Sequence, residues 1–187
     1  IKIESFKINE TIDIDLSTEE WEKLAKKPKL KNYILIYKLN TSKLIFDFAR
    51  KLSNLTGKKI VALNFDVVDQ MKTPDIKGVY SASVEEFLGY IKYADYVVTN
   101  SFHGTALSII FHKEFYVEAL QKDFKPNDRV ESLLCLTGLD ECKVKTLEDC
   151  RVNVNRDFYF SDDQIRKQYI KTNQYFERVL NEDGRSF

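Results

Sequence analysis

Residues Tyr96-Val-Val-Thr-Asn-Ser-Phe-His-Gly-Thr-Ala-Leu-Ser-Ile-Ile-Phe111 decide how this chain is read. The first four show no polar alternation, as expected of a strand buried on both faces of a parallel sheet. Asn100 to Thr105 make a polar turn, and Ser101 to Phe111 suit a helix of small and apolar side chains. Strand, polar turn and helix in direct succession are one step of an α/β domain.

The same alternation continues on both sides. Tyr33-Ile-Leu-Ile-Tyr37 is a second buried strand. After it, Ile45, Phe48, Ala49 and Leu52 fall at i, i+3, i+4 and i+7 of a helix that Gly57 ends. Ile60 to Phe65 gives another strand, and Ser83-x-x-Glu86 is a capping box that opens a helix with Val84, Phe87, Leu88 and Ile91 inward. Beyond Phe111 the pattern predicts a strand at Phe115 to Leu120 and a helix at Asn127 to Leu136, stopped by Gly138. A short strand at Lys143-Val144 and a long helix opened by Ser161-x-x-Gln164 complete the chain. Asp66 to Tyr80 has Pro74, Gly78 and no period, so it is expected to be irregular or to hold one short strand near Val79. Ile1 to Leu16 reads as extended, and Ser17-x-x-Glu20 starts a short helix with Trp21, Leu24 and Ala25 on one face, ended by Pro28. The expected class is α/β, a Rossmann-like, mainly parallel sheet with helices on both faces. Residues 1–32 are a lead-in strand and helix packing on a main domain of residues 33–187.

Composition bounds the function. A chain of 187 residues, 43% hydrophobic and 31% charged, suits one globular domain. Lys+Arg and Asp+Glu balance at 29 each, so no overall field draws nucleic acid or an anionic membrane. The run Lys23, Lys26, Lys27, Lys29 and Lys31 reads as a solvated connector, with an anionic-surface contact as the other reading. The longest apolar run, Tyr33 to Tyr37, is far short of a transmembrane helix, and no signal-peptide pattern opens the chain, so a cytoplasmic location is expected. Cys135, Cys142 and Cys150 include no Cys-x-x-Cys pair, so free thiols are expected rather than a disulfide framework or a zinc site.

In α/β sheets of this kind ligands bind at the carboxyl ends of strands. The Asn100 to Thr105 turn leads into a helix N-terminus, where unpaired N–H groups and the helix dipole favour anions. His103 adds a group suited to proton exchange near neutral pH. The competing reading has Ser101 as a simple cap, Gly104 as a packing residue and His103 as a surface histidine. Lys38 and Asn40 follow the first strand, where the lysine either pairs with a phosphate or stands exposed on the rim. Arg129 either contacts an anion or makes a salt bridge on its helix face. His112 reads as structural. The chain has no P-loop, no Gly-x-Gly-x-x-Gly and no metal-ligand spacing, so no metal and no cofactor are expected.

The run from Tyr93 to Val117, Tyr-Ala-Asp-Tyr-Val-Val-Thr-Asn-Ser-Phe-His-Gly-Thr-Ala-Leu-Ser-Ile-Ile-Phe-His-Lys-Glu-Phe-Tyr-Val, resembles the signature of the polysaccharide pyruvyl transferase family. Weaker similarity runs from the Trp21 helix and the Tyr33 strand through Asn127-Asp-Arg-Val130 to the terminal helix. The resemblance implies two facing Rossmann-like domains in a GT-B arrangement, with this chain as the C-terminal, donor-binding half and an N-terminal partner domain outside it. It implies transfer of the enolpyruvyl group of phosphoenolpyruvate to a sugar of a bacterial cell-surface polysaccharide or lipid-linked oligosaccharide. The product would be a pyruvate ketal of an exopolysaccharide or capsule, made in the cytoplasm or at the inner face of the membrane. By the same resemblance His103 is the catalytic candidate, and Lys38, Asn100, Ser101, Phe102, Gly104, Thr105 and Arg129 are donor-binding candidates. Ser101 and Lys38 stand where some members have arginine, and Glu114 where proline is common. The isolated chain is expected to be catalytically silent. Two other readings stay open: the donor domain of a nucleotide-sugar glycosyltransferase, with Asp123 as a ribose ligand, and a non-catalytic binding or assembly module.

Overall fold

A computed structural model describes residues 21–63, 65, 67–118, 127–154 and 156–182. Among them, β1 (Tyr33–Tyr37), β2 (Lys59–Leu63), β3 (Lys77–Val79), β4 (Tyr96–Thr99), β5 (Glu114–Glu118) and β6 (Lys143–Val144) form one sheet. Its order is β3-β2-β1-β4-β5-β6, and every pairing is parallel. The helices are α1 (Lys43–Thr56), α2 (Val67–Lys72), α3 (Val84–Lys92), α4 (Phe102–Ile110), α5 (Asn127–Thr137) and α6 (Tyr159–Glu182). This is the Rossmann-like α/β arrangement that the alternation of strands and helices predicts.

The strands lack a polar face because both faces are covered. Tyr33 and Leu35 of β1 enter a core with Ile91 of α3, Ile109 of α4 and Val130 and Leu134 of α5. Ile34 and Ile36 point the other way, onto Ile45, Phe48, Ala49 and Leu52 of α1. Each fully buried Ile or Leu contributes roughly 1.5–3 kcal/mol. Gly57, at φ 70, ends α1 by donating its N–H to Ser53 O at 2.8 Å.

The strand order fixes where a ligand can bind. β1 and β4 lie side by side, with Tyr37 opposite Thr99. The chain leaves β1 through α1 toward one edge of the sheet and leaves β4 through α4 toward the other. The crevice between these diverging connections, at the carboxyl ends of β1 and β4, is the topological switch point.

Three expectations are corrected. Residues 67–72, read as irregular, form α2; Thr73 closes it by directing both N–H and Oγ1 to Asp69 O, and Pro74 follows. The C-terminal helix starts at Tyr159, where Asp157 Oδ1 accepts the Tyr159 N–H at 2.9 Å. Ser161 does not open it, because its Oγ donates to Phe158 O instead. Trp21 and Leu24 are 40% and 51% exposed, and of that face Ala25 alone is buried. This segment docks on α3 by backbone rather than by its indole. Lys26 N–H donates to Glu85 O at 2.8 Å, and a Cβ on Gly89 would lie 1.8 Å from Lys26 O. The expected lead-in strand, the Ser17 capping box and Asp123 lie outside the described residues.

Glu114, at the start of β5, pairs with the buried Arg156 guanidinium, which also lies 5.3 Å from the Tyr116 ring centroid. The glutamate therefore ties the segment before α6 to the amino edge of the sheet.

Burial pushes the Cys142 thiol from 9.0 up to about 12 and the Tyr116 phenol from 10.0 up to about 12, and raises that of Tyr33 as well. The folded chain keeps these groups neutral while the unfolded chain ionises them. Their contribution is therefore complete below pH 9 and is lost as pH rises, by about 1.4 kcal/mol per pH unit for each group once its unfolded form has ionised. Lys113, whose ammonium is driven below its ordinary 10.5 by burial, acts in the opposite sense. Urea melts between pH 8 and pH 11 should show falling stability, and Cys142→Ala should flatten the curve between pH 9 and pH 10. An unchanged slope in that variant would show that the thiol ionises as freely in the folded chain.

Candidate functional site

At the switch point the chain passes from Thr99 through Asn100 and Ser101 directly into α4. Ser101 has the extended backbone of an N-cap, φ −105 and ψ 136, and its Oγ accepts the Gly104 N–H at 3.5 Å. Thr99, Asn100, Ser101 and Thr105 are all at most 4% exposed, and their polar atoms are partnered. Thr99 Oγ1 donates to Tyr37 O at 2.6 Å and accepts the Ser101 N–H at 3.0 Å. Asn100 Oδ1 accepts from Leu39 N–H at 2.8 Å while its Nδ2 donates to Asn40 O at 2.9 Å. Thr105 Oγ1 donates to Ser101 O at 2.9 Å. These side chains lock the exit of β4 to the exit of β1 and shape the site from beneath.

Gly104 sets how closely α4 approaches the sheet. A Cβ there would fall 2.4 Å from Thr99 Oγ1 and 3.0 Å from Tyr37 Cδ1. Glycine lets the helix N-terminus sit directly on the β1 and β4 ends.

The outer side of this first turn carries the candidate groups His103 and Phe102. Among the described residues the N–H groups of Phe102 and His103 have no acceptor, as the start of a helix requires. His103 is exposed and stands edge-on to half-buried Phe102, with ring centroids 5.9 Å apart. Arg129, from the first turns of α5, places its guanidinium 5.2 Å from the Phe102 centroid. Among the described residues it makes no ion pair, and its guanidinium lies against the first residue of α4. An imidazole and a guanidinium thus each lie beside Phe102 at a helix N-terminus, a place that favours small anions.

The other helix terminus at the switch point is already filled. Ser42 caps α1, accepting the Leu44 N–H at 3.2 Å, and donates its hydroxyl to Glu118 Oε1 at 2.6 Å. A carboxylate at the start of α1 disfavours an anion there. Lys38 lies 4% exposed in an ion pair of 2.6 Å with Asp69 of α2, which is 3% exposed. Asp69 Oδ1 also accepts from Thr41 Oγ1 at 3.1 Å. The exposed-rim reading of Lys38 is corrected, since its ammonium is buried against α2.

Sequence reasoning missed Tyr37, Asp69, Thr99 and Glu118 as parts of this edge. Tyr37, Thr99 and Glu118 each end a strand, which was the available signal, while Asp69 lies on α2, and the partners of all four belong to other elements. His112 lies away from the site. It takes φ 49 after α4, stacks on Phe158 at 5.0 Å and meets Asp162 at 2.9 Å, clasping α4 to α6.

Among the described residues no group of three or more His, Cys, Asp or Glu side chains is arranged to hold a metal ion. No described helix is long and apolar enough to cross a membrane. Comparison with curated proteins and with solved structures returns no match. Comparison with protein families matches residues 4–121 to the family described as polysaccharide pyruvyl transferase. The match spans more than half of the 187 residues and contains the β1 and β4 edge with its Ser101-Phe102-His103-Gly104 turn. The chain belongs to the polysaccharide pyruvyl transferase family.

Proposed function

We propose that this chain binds phosphoenolpyruvate at the N-terminus of α4 and supplies the donor side of pyruvyl transfer to a sugar, forming a pyruvate ketal. The observation that carries this reading is the open first turn of α4 flanked by exposed His103 and by Arg129, whose guanidinium lies 5.2 Å from the Phe102 ring centroid. The donor has a phosphate and a carboxylate, and the Phe102 and His103 N–H groups together with Arg129 suit both as ligands. In this reading His103 delivers a proton to the terminal methylene carbon. That step leaves an oxocarbenium-like centre at the adjacent carbon, to which one sugar hydroxyl adds with loss of its proton. A second hydroxyl of the same sugar then replaces the phosphate, its proton leaving with the departing group. Donors that hold the phosphate throughout stabilise the charge as it develops. Buried Asn100, Ser101 and Thr105 act through the geometry of the turn, and Lys38 acts through its pair with Asp69.

A thermal melt tests the reading against a nucleotide-sugar donor. At ~100 times its dissociation constant, phosphoenolpyruvate should add about 2.7 kcal/mol, or roughly 5–10 °C in Tm for a chain of this size. Uridine diphosphate should add nothing. Stabilisation by the nucleotide and not by phosphoenolpyruvate would replace this reading with a glycosyltransferase.

A further inference from the structure

Beside the α4 terminus an open groove of about 470 Å³ runs along the carboxyl ends of β1, β2 and β3. Tyr37, Leu63 and Val79 form its floor, and Tyr80, Ser83 and Phe87 stand on its sides. None of the described residues lining it is charged, in a chain that is 31% charged. Tyr37 and Phe87 pack edge-on at 4.9 Å, and Tyr37 is the residue that Gly104 approaches, so the groove adjoins the proposed donor site directly.

Tyr80 is 58% exposed yet held in place. Its hydroxyl donates to Gln70 Oε1 at 3.1 Å, and Gln70 Nε2 donates to Ile76 O at 3.2 Å. An aromatic side chain kept upright at the mouth of a groove, without burial to explain it, is a prepared stacking surface. Ser81 supplies a hydroxyl beside it, while that of Ser83 caps α3, donating to Glu85 Oε2 at 2.6 Å and accepting the Glu86 N–H at 3.3 Å.

We propose that this groove binds the pyranose ring of the acceptor, its C–H face on Tyr80 and its hydroxyls toward Ser81. The inference rests on the pyruvyl transfer reading above. A neutral lining rules against a phosphate or carboxylate here, because burying such charges beside aromatic rings without partners is costly. A ring with one apolar face and a rim of hydroxyls matches both halves of the lining.

Saturation-transfer NMR and calorimetry on the whole chain, with methyl galactopyranoside and methyl glucopyranoside as probes, test this. At least one glycoside should bind, with saturation reaching the sugar C–H protons. Tyr80→Ala should weaken it about tenfold or more, while Tyr80→Phe keeps most of the affinity. Phosphoenolpyruvate binding should be unchanged in both variants, which also reports that they are folded. Lack of glycoside binding, or equal binding by Tyr80→Ala, overturns the groove assignment even where phosphoenolpyruvate binds. Uridine binding that is lost in Tyr80→Ala overturns it in favour of a nucleobase. Glycoside binding that depends on Tyr80 without any phosphoenolpyruvate binding would uphold the sugar groove and overturn the donor reading alone.

Discussion

Asp69→Ala should destabilise the chain by about 3–5 kcal/mol, because it removes a buried carboxylate that pairs with the buried Lys38 ammonium at 2.6 Å. The two side chains are 4% and 3% exposed, so water cannot readily replace the lost partner. Removing both charges is a different change. Lys38→Met combined with Asp69→Leu should recover most of the loss, since well-packed apolar pairs often equal or exceed buried ion pairs in stability. Denaturant melts of the two single variants and the double variant measure this. An Asp69→Ala loss below about 1 kcal/mol would show that the pair with Asp69 is not what holds Lys38 in place.

Gly104→Ala should cost about 1–3 kcal/mol and weaken donor binding together with stability. The added methyl meets Thr99 Oγ1 at 2.4 Å, and that hydroxyl is fixed by its bonds to Tyr37 O and Ser101 N–H. Relief therefore requires α4 to lift, which tilts the Phe102 and His103 N–H groups away from their present direction. Thr99→Ala removes the obstructing hydroxyl at the cost of its two hydrogen bonds. The double variant should accordingly be less destabilised than the sum of the singles, a coupling that a mutant cycle resolves. Additive losses would show that Thr99 is not the obstacle.

The fold was legible because burial on both faces leaves a plain mark on a strand. Tyr33 to Tyr37 and Tyr96 to Thr99 contain too few polar residues to face water, and their helices show i, i+3, i+4 stripes. Helix α2 was not legible, since its six residues are too few for a period to emerge and its closure depends on Thr73 bonding back to Asp69 O. The site was legible as a place, because Ser101-Phe102-His103-Gly104 follows a buried strand. Its internal division was not. Nothing local to Asn100 shows that both ends of its amide are directed to the backbone of residues 39 and 40. Arg129 over Phe102 likewise joins two helices distant in sequence.

The most direct measurement is calorimetric binding of phosphoenolpyruvate to the chain and to His103→Ala. The α4 site predicts saturable binding that weakens about tenfold to a hundredfold in the variant, as expected for losing a hydrogen bond to a charged group. Stability should stay within about 0.5 kcal/mol because His103 is exposed. Equal binding by both proteins would contradict the placement of the donor at this helix terminus.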